Sequence, residues 1–210
     1  MRNSKAGSRW GGALAALVTT ALLVTGCGKD GVDLDESLRS SGDDPFELSA
    51  ADGETRTVTG HGIVLEVPAS WEGYDEKQSV DGTTYEWAVA EPDGDPAPSY
   101  VQFSMGMKGK GGAFEQLRDG AKELGALDDS FELLDEGEAD VPGAERAEFL
   151  RFTMNETFDG QDAVIEQLQV FVELPEGEVS TVRFITPEGE WEDAMQEVYD
   201  SFTVAQAEEA

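Results

Sequence analysis

The stretch Ala163–Leu174, AVIEQLQVFVEL, decides the fold class because its side chains alternate between two chemistries. Alternation with a period of two is typical of a β-strand whose two faces meet different surroundings. A sheet with one buried and one wetter face is usually antiparallel, so the stretch predicts a central antiparallel sheet. The apolar face is Val164, Leu168, Val170, Val172 and Leu174, and the wetter face is Gln167, Gln169 and Glu173.

Glu166 is an exception, because it falls on the apolar face of the same strand. A carboxylate buried there needs an opposite charge, or else the strand must bulge to turn it outward. We predict either an ion pair with a buried cation such as Arg151 or a β-bulge at this position.

The chain on either side of this strand continues as hairpins. Glycine-containing turns at Asp159-Gly160, Pro142-Gly143 and Glu176-Gly177 separate apolar runs. In the nearest preceding run Leu150, Phe152 and Met154 share a face. The predicted strands around the central one are Phe131–Val141, Glu145–Met154 and Val179–Ile185.

Two segments have helical spacing instead. In Ala113–Leu124, apolar residues recur three or four positions apart, and Gly125 suits a C-terminal cap. The second helix is predicted after Val179–Ile185, with Thr186 as its N-cap and Pro187 at its first position. The apolar stripe of the second helix is Trp191, Ala194, Met195, Val198, Tyr199 and Phe202.

Three earlier strands complete the predicted domain, which spans residues 46–206. They are His61–Val67, Thr83–Ala90 and Tyr100–Met107. Antiparallel strands with two well-separated helices indicate the α+β class, with a central antiparallel sheet between helices. We predict that Trp71, Trp87 and Trp191 lie in the core, with Trp71 or Tyr74 as alternatives for lining a pocket.

The first 26 residues have the features of an export signal. Three basic residues precede Ala13–Val24, a twelve-residue run without charge that is too short to span a membrane. Val24-Thr25-Gly26-Cys27 follows and resembles the bacterial lipobox. We therefore predict cleavage after Gly26 and attachment of diacylglycerol to the thiol of Cys27. The predicted location is the extracytoplasmic face of the cell membrane.

Residues 27–45 form the predicted tether between the lipid and the domain. They are rich in Gly, Ser and Asp and lack a periodic apolar stripe, which is typical of disorder. Asp30, Asp33 and Asp35 do not have the glycine spacing of a calcium-binding loop, so a solvated tail is the better interpretation.

The charge distribution argues against nucleic-acid partners. All 45 acidic residues lie at or after Cys27, whereas three of the 14 basic residues lie before it. The exported part is therefore strongly negative and should repel DNA, RNA and anionic headgroups.

Two segments resemble the PsbP-like fold family, whose relatives include LpqN-type lipoproteins of actinobacteria. The first is Gly62–Trp71, GIVLEVPASW, and the second is Val182–Pro187, VRFITP, followed by a predicted helix into Ser201-Phe202. The resemblance covers about residues 46–206. It implies an antiparallel sheet between helices and an accessory or binding role, and it carries over no catalytic residues.

The sequence contains no recognisable catalytic or cofactor-binding motif. His61 is the only histidine and has a glycine on either side, so a turn position is predicted for it. Lys108–Gly112, KGKGG, lacks the spacing of a nucleotide loop and is interpreted as a turn, with a weak anion or partner contact as the alternative.

Carboxylate pairs such as Asp43-Asp44 and Asp128-Asp129 are expected by chance in so acidic a chain. Asn155-Glu156-Thr157 fits a glycosylation sequon, which the predicted bacterial location disfavours.

These observations predict a non-catalytic binding or accessory module of the bacterial cell envelope, without cofactor or metal. Its expected partners are the membrane, through Cys27, and an envelope protein or lipid. Two alternatives remain open. The first is a hydrolase of envelope polymers that uses two carboxylates, and the second is a divalent-cation sink formed by surface acids.

Overall fold

Alternating apolar sequences pair into two antiparallel sheets in the computed structural model. It describes residues 46–80, 83–92, 97–104, 107–108, 113–158, 160–175 and 177–205; for 74–80, 83–87, 107–108 and 193–194 it describes the backbone. The strands are β1 (Glu47–Leu48), β2 (Thr55–Gly60), β3 (Ile63–Pro68), β4 (Glu72–Val80), β5 (Thr83–Ala90), β6 (Tyr100–Ser104), β7 (Met107–Lys108), β8 (Glu132–Glu138), β9 (Arg146–Phe158), β10 (Gln161–Glu173), β11 (Glu178–Pro187) and β12 (Thr203–Val204). The helices are α1 (Ala113–Gly125), α2 (Trp191–Ala194) and α3 (Gln196–Asp200).

The small sheet has the order β1-β2-β3-β12, and the large sheet has the order β4-β5-β6-β11-β10-β9-β8, with β7 paired to β11. Every recorded strand pair is antiparallel. The predicted α+β class and the antiparallel central sheet are therefore confirmed. The sheet places β10 and β11 near its middle, as expected for the most apolar strands.

Both faces of the large sheet are covered at its central strands. We call one the core face, where Leu168, Val170 and Val172 meet the small sheet and the C-terminal helices. We call the other the α1 face, where Phe171 and Phe152 lie beneath α1 with Phe114. Two layers of apolar contacts therefore hold the large sheet between α1 on one side and the small sheet with α2 and α3 on the other.

The prediction of a wetter face on the central strand was wrong. Gln167 is 0% exposed and Gln169 is 8% exposed, because other parts of the protein cover the α1 face. Conversely, Val164 on the predicted apolar face is 42% exposed, near the end of the β9–β10 hairpin. Alternation identified the strand correctly, but it did not show which polar residues would be enclosed.

The predicted N-terminal end of the last helix was also wrong. Thr186 and Pro187 are the last residues of β11, where they pair with Glu166 and Ile165 of β10. The hydroxyl of Thr186 shares a hydrogen bond of 3.0 Å with the Ser99 hydroxyl and is not a cap. Proline is tolerated at a strand end because few ladder bonds are lost there. The helical region is two short helices, and Trp191, Met195, Val198 and Phe202 of the predicted stripe are buried.

Several other predictions had the right element with different ends. The strand predicted over Tyr100–Met107 is observed as β6, which ends at Ser104, and a separate β7. The strand Thr83–Ala90 was predicted with its correct ends. The first helix was predicted over Ala113–Leu124 with Gly125 as its cap, but the helix includes Gly125, which has no left-handed conformation. A Cβ at Gly125 would lie 2.5 Å from Cε2 of Phe131, so close packing is what requires glycine there.

Candidate functional site

A cluster of polar side chains occupies the α1 face beside the apolar contacts of α1. We call it the polar cluster, and it consists of Tyr100, Gln102, Ser104, Glu156, Gln167, Gln169, Thr181 and Arg183. The residues come from four neighbouring strands, β6, β11, β10 and β9. Their shared face follows from the register, because Arg183 pairs with both Gln102 and Gln169, and paired residues in a sheet point the same way.

Arg183 is the cation of the polar cluster, and amide groups hold its guanidinium. Its Nη2 donates to Oε1 of Gln167 at 3.0 Å, and its Nη1 donates to Oε1 of Gln102 at 3.4 Å. The amide Nε2 of Gln167 lies 3.5 Å from Oε1 of Gln169. Two strands, β6 and β10, therefore contribute the amide groups that fix the orientation of one arginine on β11.

Thr181 carries a buried hydroxyl in the same cluster. Its side chain is 1% exposed, and its Oγ1 has no hydrogen-bond partner among the residues that the structure describes. Its backbone is satisfied, because its N–H donates to the Ser104 hydroxyl at 2.9 Å and its carbonyl accepts from that hydroxyl at 3.0 Å. A buried hydroxyl without a partner costs about 1–3 kcal/mol, which a bound polar molecule would recover.

The end of the β9–β10 hairpin bends over this cluster. Phe158 pairs with Gln161, whereas Tyr100 aligns through Ile185 with Gln167. Six residues of strand span about 20 Å, so a flat sheet would keep the two rings far apart. Their centroids are 6.3 Å apart, and the hairpin must therefore curl back across the α1 face.

Glu156 lies on the curled part of the hairpin, which brings it to the cluster on the α1 face. The Tyr100 hydroxyl donates a hydrogen bond to it, and Arg183 is near enough to attract it electrostatically. Burial raises the pKa of the Glu156 carboxyl, outweighing the lowering effects of Arg183 and Tyr100. The hairpin thus brings a poorly solvated acid to a fixed base, which sequence spacing did not reveal.

The other ion pairs fasten structural elements together. Arg118 of α1 contacts Glu148 at 2.5 Å, Arg146 contacts Glu115 at 2.7 Å, and Lys122 contacts Glu136 at 2.6 Å. Arg146 also contacts Glu148, and its guanidinium lies 4.1 Å from the centre of the Phe114 ring. These pairs join α1 to β8 and β9, so they explain how α1 stays on the sheet.

The predicted pair of Glu166 with Arg151 is confirmed, and the bulge alternative is not observed. Nε of Arg151 donates to Oε1 of Glu166 at 2.5 Å, and the register of β10 is continuous on both sides. The guanidinium of Arg151 lies 5.0 Å from the centre of the Trp191 ring. This pair links the large sheet to α2 on the core face and is separate from the polar cluster.

His61 occupies the turn predicted for it. It has a φ of 48° and, with Gly62 at 72°, forms the two-residue turn between Gly60 and Ile63. Two positive φ values are the signature of the tight hairpin turn that matches strand twist. Its ring packs edge-on against Phe46, with the centroids 4.7 Å apart. Trp71 and Trp191 are both 4% exposed, as predicted for core residues.

Other predicted sites fall elsewhere. Gly26, Cys27, the aspartates of the tether, Asp43-Asp44 and residues 109–112 lie outside the described residues, as do the side chains of Tyr74, Trp87 and Lys108. Asp128 accepts hydrogen bonds from the backbone and the hydroxyl of Ser130, which is a turn. Within the described ranges, no three His, Cys, Asp or Glu residues are grouped as a metal ion would need. The helices of those ranges include none long and apolar enough to cross a membrane.

Comparisons with known proteins give structural similarity at low identity. No protein-family model matches the chain, and no curated protein does. LpqN of Mycobacterium tuberculosis, described as involved in cell envelope biogenesis, is 14% identical with a TM-score of 0.48, over 85% of this chain and 100% of that one. A putative regulator of unknown function, PA94 from Pseudomonas aeruginosa, is 17% identical with a TM-score of 0.38, over 67% of this chain and 88% of that one.

Proposed function

We propose that this protein is a lipid-anchored, non-catalytic binding or accessory module of the bacterial cell envelope, and that the polar cluster is its binding site. The buried Thr181 hydroxyl carries this proposal, because it lies unpartnered among the described residues beside a fixed arginine. Pre-positioned polar groups in a closed interior are the usual means of holding a polar ligand group. The segments Gly62–Trp71 and Val182–Pro187 support a PsbP-like arrangement, and the LpqN-type resemblance supports an envelope role.

The experiment compares what the full-length protein retains from its own envelope with and without the charges of the cluster. The test variant is the double substitution Arg183→Gln/Glu156→Gln, which removes the pair together and leaves no single buried charge. The control is Arg118→Gln, which changes an arginine of the α1 ion pairs. We expect a compound or envelope protein that co-purifies with wild type and the control to fall by about tenfold or more in the double variant.

If the double variant and wild type retain equal amounts of the co-purifying compound or protein, the binding site lies outside the polar cluster. Steady turnover of envelope material by the purified protein would replace the non-catalytic function with an enzymatic one. Both results are read from the same preparations by mass spectrometry.

A carboxylate-based hydrolase is the second candidate, and Glu156 is the observation that favours it. An acid whose pKa is raised by burial is suited to donate a proton. A glycosidase needs a second carboxyl group several ångströms away. If the protein is a hydrolase, Glu156→Gln should abolish its hydrolysis of envelope polymers. If wild type retains a ligand without hydrolysing it, this second candidate is rejected.

The anchor gives a third prediction. Replacing Cys27 by Ser removes the thiol that would receive diacylglycerol, so the variant should not incorporate labelled fatty acid. We expect it to leave the membrane fraction, whereas a Ser41→Ala control in the tether should remain there. Fatty-acid labelling and membrane fractionation measure this directly, and equal labelling of both variants would contradict the anchor.

A further inference from the structure

The curled end of the β9–β10 hairpin lacks the neighbouring strands that pair with the middle of β9 and β10. Residues 156–158 and 160–163 extend beyond the neighbouring strands, because β8 pairs no further than Thr153 and β11 no further than Ile165. The outermost bonds from neighbours join Ser130 to Asn155 and Glu188 to Val164. Beyond these bonds, among the described residues, the backbone pairs only within the hairpin. A two-stranded ribbon has marginal stability by itself, so its side-chain contacts decide its position.

In the described part of the chain, two interactions hold the hairpin end against the polar cluster. The first is apolar, between the rings of Phe158 and Tyr100. The second is polar, because the Tyr100 hydroxyl donates a hydrogen bond to Glu156, which Arg183 also attracts electrostatically. Thr157 and Asp162 bond to each other at 2.8 Å on the opposite face and do not touch the cluster. Among the described residues of the hairpin end, Glu156 is therefore the titratable group that meets the cluster.

We propose that the hairpin end is a proton-controlled flap over the polar cluster, which closes when Glu156 is protonated and loosens when Glu156 is ionised. This regulation rests on the proposed function, because it gives access to the site assigned there. The described charged or titratable groups that face Glu156 are Arg183 from β11 and Tyr100 from β6. Gln102, Gln167 and Gln169 complete that surface without charge.

The direction follows from the raised pKa of Glu156. Burial under the closed flap disfavours the carboxylate more than Arg183 and Tyr100 favour it. An acid whose pKa is higher in the closed state binds its proton more tightly there, so protonation stabilises closure. This stabilisation is complete at low pH and is lost as pH rises through the raised pKa.

Hydrogen exchange of the full chain in detergent micelles tests the flap. Amide protection of residues 154–165 is measured between mildly acidic and neutral pH, corrected for intrinsic exchange, and compared with the β2–β3 hairpin in the same molecule. We expect relative protection in wild type to fall by about threefold or more as pH rises. Glu156→Gln, which stays neutral, should keep the acid-state protection at every pH.

Asp162→Asn is the matched control, because it removes the same charge from the same hairpin on the opposite face. It should retain the pH dependence of wild type. Protection that is independent of pH in wild type, or lost equally in both variants, would overturn the flap. If the Arg183→Gln/Glu156→Gln variant loses the ligand while the protection of the flap in wild type is independent of pH, that combination would support the binding site and reject only its regulation by Glu156.

Discussion

Replacing Phe184 by Ala is expected to lower the free energy of unfolding by about 3–5 kcal/mol. Phe184 is 0% exposed on β11, and its ring meets Tyr199 and Phe202 edge-on, with centroids 5.5 and 5.6 Å away. Truncation would leave a cavity where the large sheet meets α3. Because the surrounding strands are held by ladder bonds on both sides, the cavity cannot collapse fully.

Urea unfolding of the full chain measures this loss. Leu127→Ala is the control, because Leu127 is 68% exposed and the same kind of truncation there should change stability by less than about 0.5 kcal/mol. Similar losses from both variants would mean that Phe184 does not join the sheet to the C-terminal helices.

Breaking the buried ion pair on the core face is expected to give the second large effect. Arg151→Met removes the partner of Glu166, whose side chain is 7% exposed, and should lower the free energy of unfolding by about 3 kcal/mol. The loss arises mainly because a carboxylate would remain without an opposite charge. Arg151 is 34% exposed, which keeps the expected effect at the lower end for buried pairs.

The double variant Arg151→Met/Glu166→Leu separates the cost of the orphaned charge from the value of the pair. It should recover most of the lost stability, since removing both charges of a buried pair together is often neutral. Lys122→Met, in the exposed pair with Glu136, should cost no more than about 1 kcal/mol. A double variant no more stable than Arg151→Met would show that the arginine acts through Trp191 instead.

Most strands were predictable because their apolar residues alternate, and a single exception such as Glu166 does not hide the pattern. The central strands have long runs and glycine turns on both sides, and Gly160, Gly177 and Gly143 all adopt the positive φ that these turns require. Strands β1, β2, β4 and β12 were missed. β1 and β12 have two residues each, and β2 and β4 contain mainly polar residues. Each is held by a partner strand, β2 and β12 by β3, β1 by β2 and β4 by β5, and local sequence cannot reveal that pairing.

The polar cluster was not predicted, because its residues come from strands that meet only in the folded sheet. Gln167 and Gln169 were noticed, but their alternation indicated contact with water. The approach of Glu156 depends on a curled hairpin, and curvature leaves no periodic signal in the sequence. The Glu166–Arg151 pair was predictable, since one acid on an apolar face demands a nearby base.

The position of β12 limits when the domain can finish folding during synthesis. Thr203 and Val204 pair with Val64 and Ile63, and Ala205 donates to the carbonyl of Gly62. The last edge of the small sheet is thus supplied by residues that are synthesised after every other described strand of the domain. Co-translational folding would therefore stop at an intermediate with an open sheet edge until Thr203 and Val204 have emerged and can pair with β3.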